Sequence, residues 1–363
     1  MSTPFWAAVP FLGGIHLRGA LVRSPLVNTT IFAACSMLGS LVGTTGASVL
    51  LIRPLLRANE RRGSVTHVVV FFIFIVSNSA GLLTPLGDPP LFVGFLRGVP
   101  FTWTFRLAPQ WALVNGALLA IFAIIDRAHF ARERRHPSVR SCLTPNSIAP
   151  EASGPLQLEG ALNVLWPSGL VAVVFLVGSA GERYFGNGYL RAGLQIAGMV
   201  GFAALSLKTT AARIHEANRF SCGPIIEVVT VFVGIFVTMI PAISFLAERG
   251  ASLGITKPRQ FFWATGALSS VLDNAPTYLA FSSLATGVVD GLGGVALSPD
   301  DLGALAAHPV ERDLLAGISC GAVCMGAMTY IGNGPNSWSR PSPNSTASAC
   351  QRSSDTPSGR SRS

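Results

Sequence analysis

Charged positions along this chain fall in bunches, leaving mostly apolar stretches of 16 to 30 residues between them, uncharged except for Asp273 in one. About 20 apolar residues in a helix cross a bilayer's hydrocarbon core. The pattern therefore predicts an all-α polytopic membrane protein. The runs lie at 24–52, 68–87, 107–125, 160–181, 192–207, 228–247, 260–289 and 314–336. Residues 91–106, which mix Arg97, Trp103 and Arg106 with apolar positions, read as interfacial.

Four runs are interrupted. Gly43-Thr44-Thr45-Gly46-Ala47-Ser48 is a small, polar patch in the middle of 24–52, and Ser269 to Thr277 (SSVLDNAPT) plays the same part in 260–289. Glycine and polar residues weaken a continuous helix there, so each run is expected to be a hairpin that returns to its own side. The runs 68–87 and 314–336 break near their ends, at Ser77-Asn78 with Gly81 to Pro90, and at Thr329 to Asn336. These two are expected to be discontinuous helices.

Composition removes the soluble alternatives. Half the residues are hydrophobic, 12% are charged and mean hydropathy is +0.50. The net charge of +9 does not point to nucleic acid, because the 26 Lys and Arg sit in short segments between apolar runs. With the first hairpin opening on the cytoplasm, 18 of the 26 fall on the inner side and 8 on the outer. That orientation puts Cys142 inside and the acidic 290–313 loop outside. The six cysteines form no CxxC pair, so neither a disulfide framework nor a zinc site is indicated. Cys320 and Cys324, one turn apart, read as small residues at a helix contact. No basic region precedes the first apolar stretch, so no cleaved signal peptide is expected. His67 and His215 fall at predicted membrane edges and read as solvated, and the sequon Asn28-Thr29-Thr30 opens an apolar run, which sets glycosylation aside.

An internal repeat organises the chain. Residues 81–89 read GLLTPLGDP and residues 326–334 read GAMTYIGNG, each behind a hairpin with a polar centre. The charge count gives the two copies opposite orientations, and inverted repeats with broken helices characterise secondary transporters. The expected organisation is a short N-terminal segment (1–23), a first repeat (24–126), a basic cytoplasmic loop (127–159), a second repeat (160–336) and a disordered Ser-, Pro- and Arg-rich tail (337–363). The first repeat lacks the three spans that precede the second hairpin, and composition changes abruptly after Asn336. The chain thus reads as truncated at both ends, with a reading-frame shift inside the second tip.

Broken helices free backbone groups that hydrocarbon would penalise, and these are tolerable only against protein or a watery cavity. Thr and Asn supply neutral oxygen ligands there, and Asp supplies charge. The candidate ion- or substrate-binding residues are Thr44, Thr45, Ser48, Asn78, Thr84, Gly87, Asp88, Ser270, Asp273, Asn274, Thr277, Thr329, Gly332 and Asn333. Asp88, Asp273 and Glu227 are the candidates for proton coupling, since an acid deep in a bilayer needs a reason. Each has a structural reading too. The glycines allow close packing, Thr84 and Thr329 bond their own helices, Asp88 caps the helix that begins Pro89-Pro90, and Glu227 snorkels from a span's cytoplasmic end.

Leu83-Thr84-Pro85-Leu86-Gly87-Asp88-Pro89-Pro90 and Leu272-Asp273-Asn274-Ala275-Pro276-Thr277 resemble signature segments of the ion-transporter superfamily of NhaD-type sodium:proton antiporters, arsenite permeases and citrate carriers. The likeness is closest to bacterial citrate transporters and sodium:proton antiporters and extends over residues 18–336, through Pro224 to Val229 and Gly326 to Asn336. Asn78-Ser79-Ala80-Gly81 departs from the Asn-Ile-Gly-Gly-like stretch expected there.

A secondary active transporter in the inner or plasma membrane follows, with sodium:proton antiport as the leading reading. Acids and oxygen donors suit a hard cation that competes with protons, and no Lys or Arg lies inside a predicted span. The alternative is a citrate or other carboxylate carrier coupled to a cation, and a third reading is a non-functional truncated product. The expected partners are sodium and protons, or a carboxylate, within the lipid bilayer, with a homodimer as an open assembly. Neither a cofactor nor a resident metal is expected, and no enzymatic chemistry: Leu86-Gly87-Asp88 matches the GxGD motif of intramembrane aspartyl proteases only loosely.

Overall fold

A computed structural model describes residues 16–18, 24–59, 62, 64–135, 157–159, 169, 172–177, 188–210, 223–291, 302–309, 311–329, 332–334 and 336. The first hairpin is α1 (Pro25–Val42) and α2 (Thr44–Asn59), joined at Gly43, whose φ of 88° is a conformation that L side chains rarely adopt. The first broken helix is α3 (Thr66–Ile75), which unwinds at Ser77-Asn78 into a 3₁₀ turn over Ser79–Leu83 and restarts as α4 (Pro89–Leu96). A 3₁₀ segment (Phe101–Leu107) leads into α5 (Ala108–Arg135).

The second half also contains an interrupted pair of helices followed by a broken helix. After α6 (Gly188–Thr209) and α7 (Gly223–Arg249), α8 (Pro258–Ser269) and α9 (Asn274–Gly291) form the second interrupted run. A short α10 (Gly303–Ala307) precedes α11 (Glu311–Met325), which passes through a 3₁₀ turn at Gly326–Met328 into the second tip. All four expected interruptions are present where glycine and polar residues fall in the apolar runs.

Among the described residues, three helical stretches are long and apolar enough to cross a membrane: Pro25–Val42, Thr66–Leu83 and Phe101–Arg135. The first hairpin packs with α3 and α5 around Phe32, Phe72, Ile75 and Phe122. A second core gathers Trp103, Phe261, Tyr278, Leu284 and Leu315 between the two halves. Helices α8 and α11 lie close because glycines line their contact: a Cβ on Gly317 would stand 2.5 Å from the Pro258 carbonyl, and one on Gly321 2.5 Å from that of Phe262. Cys320 and Cys324 are free thiols in this same helix, and Cys320 is buried.

Several boundaries differ from expectation. Residues His16–Arg18 and Gln157–Glu159 pair as a three-residue antiparallel ribbon, the one sheet among the described residues. Both strands lie outside the apolar runs, where an extended segment satisfies its backbone groups by pairing. Helix α5 continues to Arg135, so the first nine residues of the expected 127–159 loop are helical. Within the expected interfacial segment, Trp103 is buried in the second core, where its large apolar surface packs against protein. The 290–313 loop contains α10, with Leu302 and Leu305 in the core. Cys142, His215, most of 160–181 and the 337–363 tail lie outside the described residues.

Candidate ion and substrate site

The two tips are built alike. The Thr84 hydroxyl donates to the Ser40 carbonyl of α1, and the Thr329 hydroxyl donates to the Ser270 carbonyl just beyond α8 at 2.5 Å. Neither threonine bonds its own helix; each pins a tip onto the hairpin of its own half. The glycines have matching roles. A Cβ on Gly87 would lie 2.2 Å from the Gly81 carbonyl oxygen, and one on Gly332 would lie 2.5 Å from that of Gly326. Backbone presses on backbone in both tips, which only glycine permits.

Asp88 closes the first tip and is buried, with 2% of its surface exposed. It is the N-cap residue of α4, yet its side chain makes no capping bond. Pro90, at the second helical position, removes one of the two amide donors that a capping carboxylate would take, and the carboxylate turns elsewhere. Its Oδ1 accepts from the Thr44 hydroxyl at 2.8 Å and from Asn333 Nδ2 at 3.3 Å, and its Oδ2 accepts from Asn274 Nδ2 at 2.6 Å. Thr44 opens α2, Asn274 opens α9 and Asn333 sits in the second tip. One carboxylate thus joins both hairpins and both tips, and three helix N-termini, those of α2, α4 and α9, converge on it with the positive ends of their dipoles.

Asparagines connect the tips directly. Asn333 Nδ2 also donates to the Ser77 carbonyl at 3.1 Å and to Asn78 Oδ1 at 3.0 Å. Asn78 Nδ2 donates to Asn336 Oδ1 at 2.7 Å, and Asn336 returns to the carbonyls of Gly326 and Thr329, both at 2.9 Å. Asn336 was not among the sequence candidates. Its signal was its place in the second tip motif, behind Gly334-Pro335. Ser77 was missed too: its hydroxyl pairs with that of Ser48 at 2.8 Å.

The other candidates divide. Thr45 is buried with its hydroxyl unpartnered, and Asn274 is wholly buried with Oδ1 unpartnered, so both leave a polar oxygen beside the acid's donors. Asp273 directly precedes Asn274, whose amide reaches Asp88. Its own Oδ1 accepts the Ala275 N–H at 3.1 Å, so it holds the start of α9 and makes no bond to Asp88. Thr277 bonds the Asp273 carbonyl within its helix at 2.9 Å, and the Ser270 hydroxyl turns back to the Ala267 carbonyl at 2.7 Å, leaving only the Ser270 carbonyl for the tip. These two hydroxyls are spent locally, as Ser and Thr in helices commonly are. The backbone of Glu227 belongs to α7, and its side chain lies outside the described residues.

The first half also contains a polar cluster that the sequence did not reveal. His67 is not solvated: its side chain is 8% exposed, and Nε2 lies 2.8 Å from Asp126 Oδ1. Asn28 is buried and donates to Asp126 Oδ2 at 3.1 Å and to Asn59 Oδ1 at 3.0 Å.

No curated protein matches the sequence. The family described as "putative citrate transport" does match, over residues 5–341, a stretch that takes in both hairpins, both tips and every residue of the site above. With that span covered and the apolar helices in place, the chain belongs to this family described as "putative citrate transport" and is a membrane protein.

Proposed function

We propose that the chain is a secondary active transporter that exchanges sodium for protons, with Asp88 as the group for which the two compete. The observation that supports this reading is the surroundings of Asp88: a buried carboxylate held by one hydroxyl and two amides, all neutral, from both halves of the chain. Burying a charge is costly unless it is paired. A proton satisfies the acid in one state. In the other, a hard cation takes the carboxylate together with neutral oxygens, for which Asn274 Oδ1 and the Thr45 hydroxyl are at hand. Because both bind one carboxylate, each excludes the other, and that exclusion couples their fluxes. Asp273 adds a second negative charge nearby that favours the arrival of a cation.

In this reading the two halves form an inverted-topology repeat, multi-pass in the inner membrane, with re-entrant hairpins and the ion site near the midplane. The matched contacts of Thr84 with Ser40 and Thr329 with Ser270 support it. A second reading, a carboxylate such as citrate carried with a cation, is favoured by the family description and by the three helix N-termini around the site.

Flux in proteoliposomes of the purified chain separates them. An imposed sodium gradient should move protons, read with a trapped pH dye, in the absence of any carboxylate. Labelled citrate entering with sodium, and no proton movement unless citrate is present, would establish the second reading in its place.

A further inference from the structure

Helix α5 stays helical after its apolar stretch ends, and its last ten residues read DRAHFARERR. The two acids there turn toward the protein. Asp126 is wholly buried, with Oδ1 against Arg62 Nη1 and His67 Nε2, and Oδ2 accepting from Asn28. Glu133, two turns further along the same side, has Oε2 3.4 Å from Arg62 Nε. One buried guanidinium from the end of the first hairpin thus engages both acids.

The arginines turn the other way. Arg135 stands opposite Asp126 on the helix, Arg127, Arg132 and Arg134 flank it, and all four are exposed. Among the described residues, no carboxylate lies within ion-pair distance of any of the four. The Arg134 guanidinium lies 5.8 Å from the centre of the Phe130 ring, which steadies it on that side. The negative end of the helix dipole accounts for arginines in the last turn, but Arg127 stands two turns before it.

Higher up, the same side of α5 is apolar. Ile124, Ile121 and Leu113 lie 11, 14 and 22 residues before Arg135, and each spacing returns to within about 40° of it. They expose 67%, 48% and 73% of their surface, as side chains facing acyl chains do. At 1.5 Å per residue, Arg127 follows Ile124 by about 4.5 Å, within a headgroup layer about 5–8 Å deep. Helical side chains lean toward the N-terminus, so Arg134 and Arg135 reach back toward the membrane.

We infer that this side of α5 binds the headgroup phosphate of an anionic phospholipid on Arg127, Arg134 and Arg135, with the acyl chains lying along Ile121 and Ile124. A guanidinium matches phosphate oxygens with paired N–H donors, and an anionic membrane surface favours each basic residue beside it. The phosphate supplies the counter-charge that Asp126 and Glu133, spent on Arg62, do not. A free phosphate ion would leave the apolar half of the face uncovered; a lipid covers both halves. Because Asp126 joins the same helix to Asn28, Arg62 and His67, a lipid held here also sets the depth of the first hairpin and of α3.

The test reads lipid binding and not flux, so its failure is distinct from failure of the antiport reading. The purified full chain is titrated in neutral detergent with phosphatidylglycerol or phosphatidylcholine of the same chain length, and native mass spectrometry counts the lipids retained. Phosphatidylglycerol should bind about fivefold or more tighter, and R127Q/R134Q/R135Q should abolish that preference. Removing as much charge elsewhere, in R249Q/K257Q/R259Q, should leave the preference within about twofold of the wild type. Excess inorganic phosphate should not displace the lipid. Should the first triple variant fail to fold, R127Q alone should cut the preference by about half or more. No preference in the wild type, a preference that survives loss of these arginines, an equal loss in the control variant, or displacement by phosphate would each overturn the inference.

Discussion

Asn274 donates to Asp88 at 2.6 Å across 186 residues of chain, and in doing so fastens the start of one half's helix α9 to the tip of the other half. Asn274 is wholly buried, and its side-chain oxygen Oδ1 has no donor. The pair therefore serves two ends. It holds the halves in register, and it leaves a polar oxygen next to a carboxylate.

Replacing Asp88 with Asn should abolish ion-coupled flux while the protein still inserts. Three donors lose their charged acceptor, and hydrogen bonds to charged groups contribute roughly 1.5–3 kcal/mol each. A fall in sodium affinity of about 100-fold or more is expected, measured by sodium binding to the purified variant, with proton movement in proteoliposomes at background. D273N should do less, reducing affinity by about tenfold, because Asp273 bonds the start of its own helix and makes no bond to Asp88.

The tips should not tolerate a methyl group. G87A and G332A each place a Cβ within 2.5 Å of a carbonyl oxygen, and the displaced backbone should cost about 1–3 kcal/mol. G116A provides the contrast: nothing lies within 4 Å of a Cβ there, and Ala is favoured over Gly in a helix by up to about 1 kcal/mol. Thermal unfolding of the purified variants should shift in opposite directions.

T84V and T329V each remove one hydroxyl bond from tip to hairpin, a loss of about 1 kcal/mol apiece. If the tips are independent, the double variant should show the sum to within about 0.5 kcal/mol. Coupling well above that, seen in the same melts, would mean that the tips move as one body.

D126A should be among the most damaging single changes, at about 3–5 kcal/mol, because it strands the buried Arg62 guanidinium. The double change R62M with D126L should restore part of that, since the wholly buried charge pair leaves together, while Glu133, 28% exposed at the side chain, loses its Arg62 partner. Melting temperatures of the three proteins in detergent give the comparison.

The broken helices were legible because their cause is local: glycine, proline and small polar residues inside an apolar run weaken a helix wherever the run later packs. The repeat marked both tips, and Asp88, Asn274 and Asn333 followed from it. The Arg62–His67–Asp126 cluster was not legible, since its partners are 59 to 98 residues apart and each reads alone as an edge residue. Asn28 and Asp126 stand at the ends of two separate apolar runs, and only the packing of α1 beside α5 brings them together. Ser270 shows the reverse. Its position in the second interruption was right, but it is the carbonyl and not the hydroxyl that faces the tip, and backbone exposure leaves no mark on residue type.

The glycine-on-glycine contacts within the tips have a consequence for how the molecule acquires direction. Both tips have backbone at the glycine contact, Gly87 on Gly81 and Gly332 on Gly326, and they differ in chemistry at the residue that follows the second glycine: Asp88 in one, Asn333 in the other. A carboxylate and an amide are nearly the same shape. The polarity of the junction is thus written in the replacement of one oxygen by one nitrogen, and D88N combined with N333D would transpose that polarity while leaving the scaffold's outline as it stands.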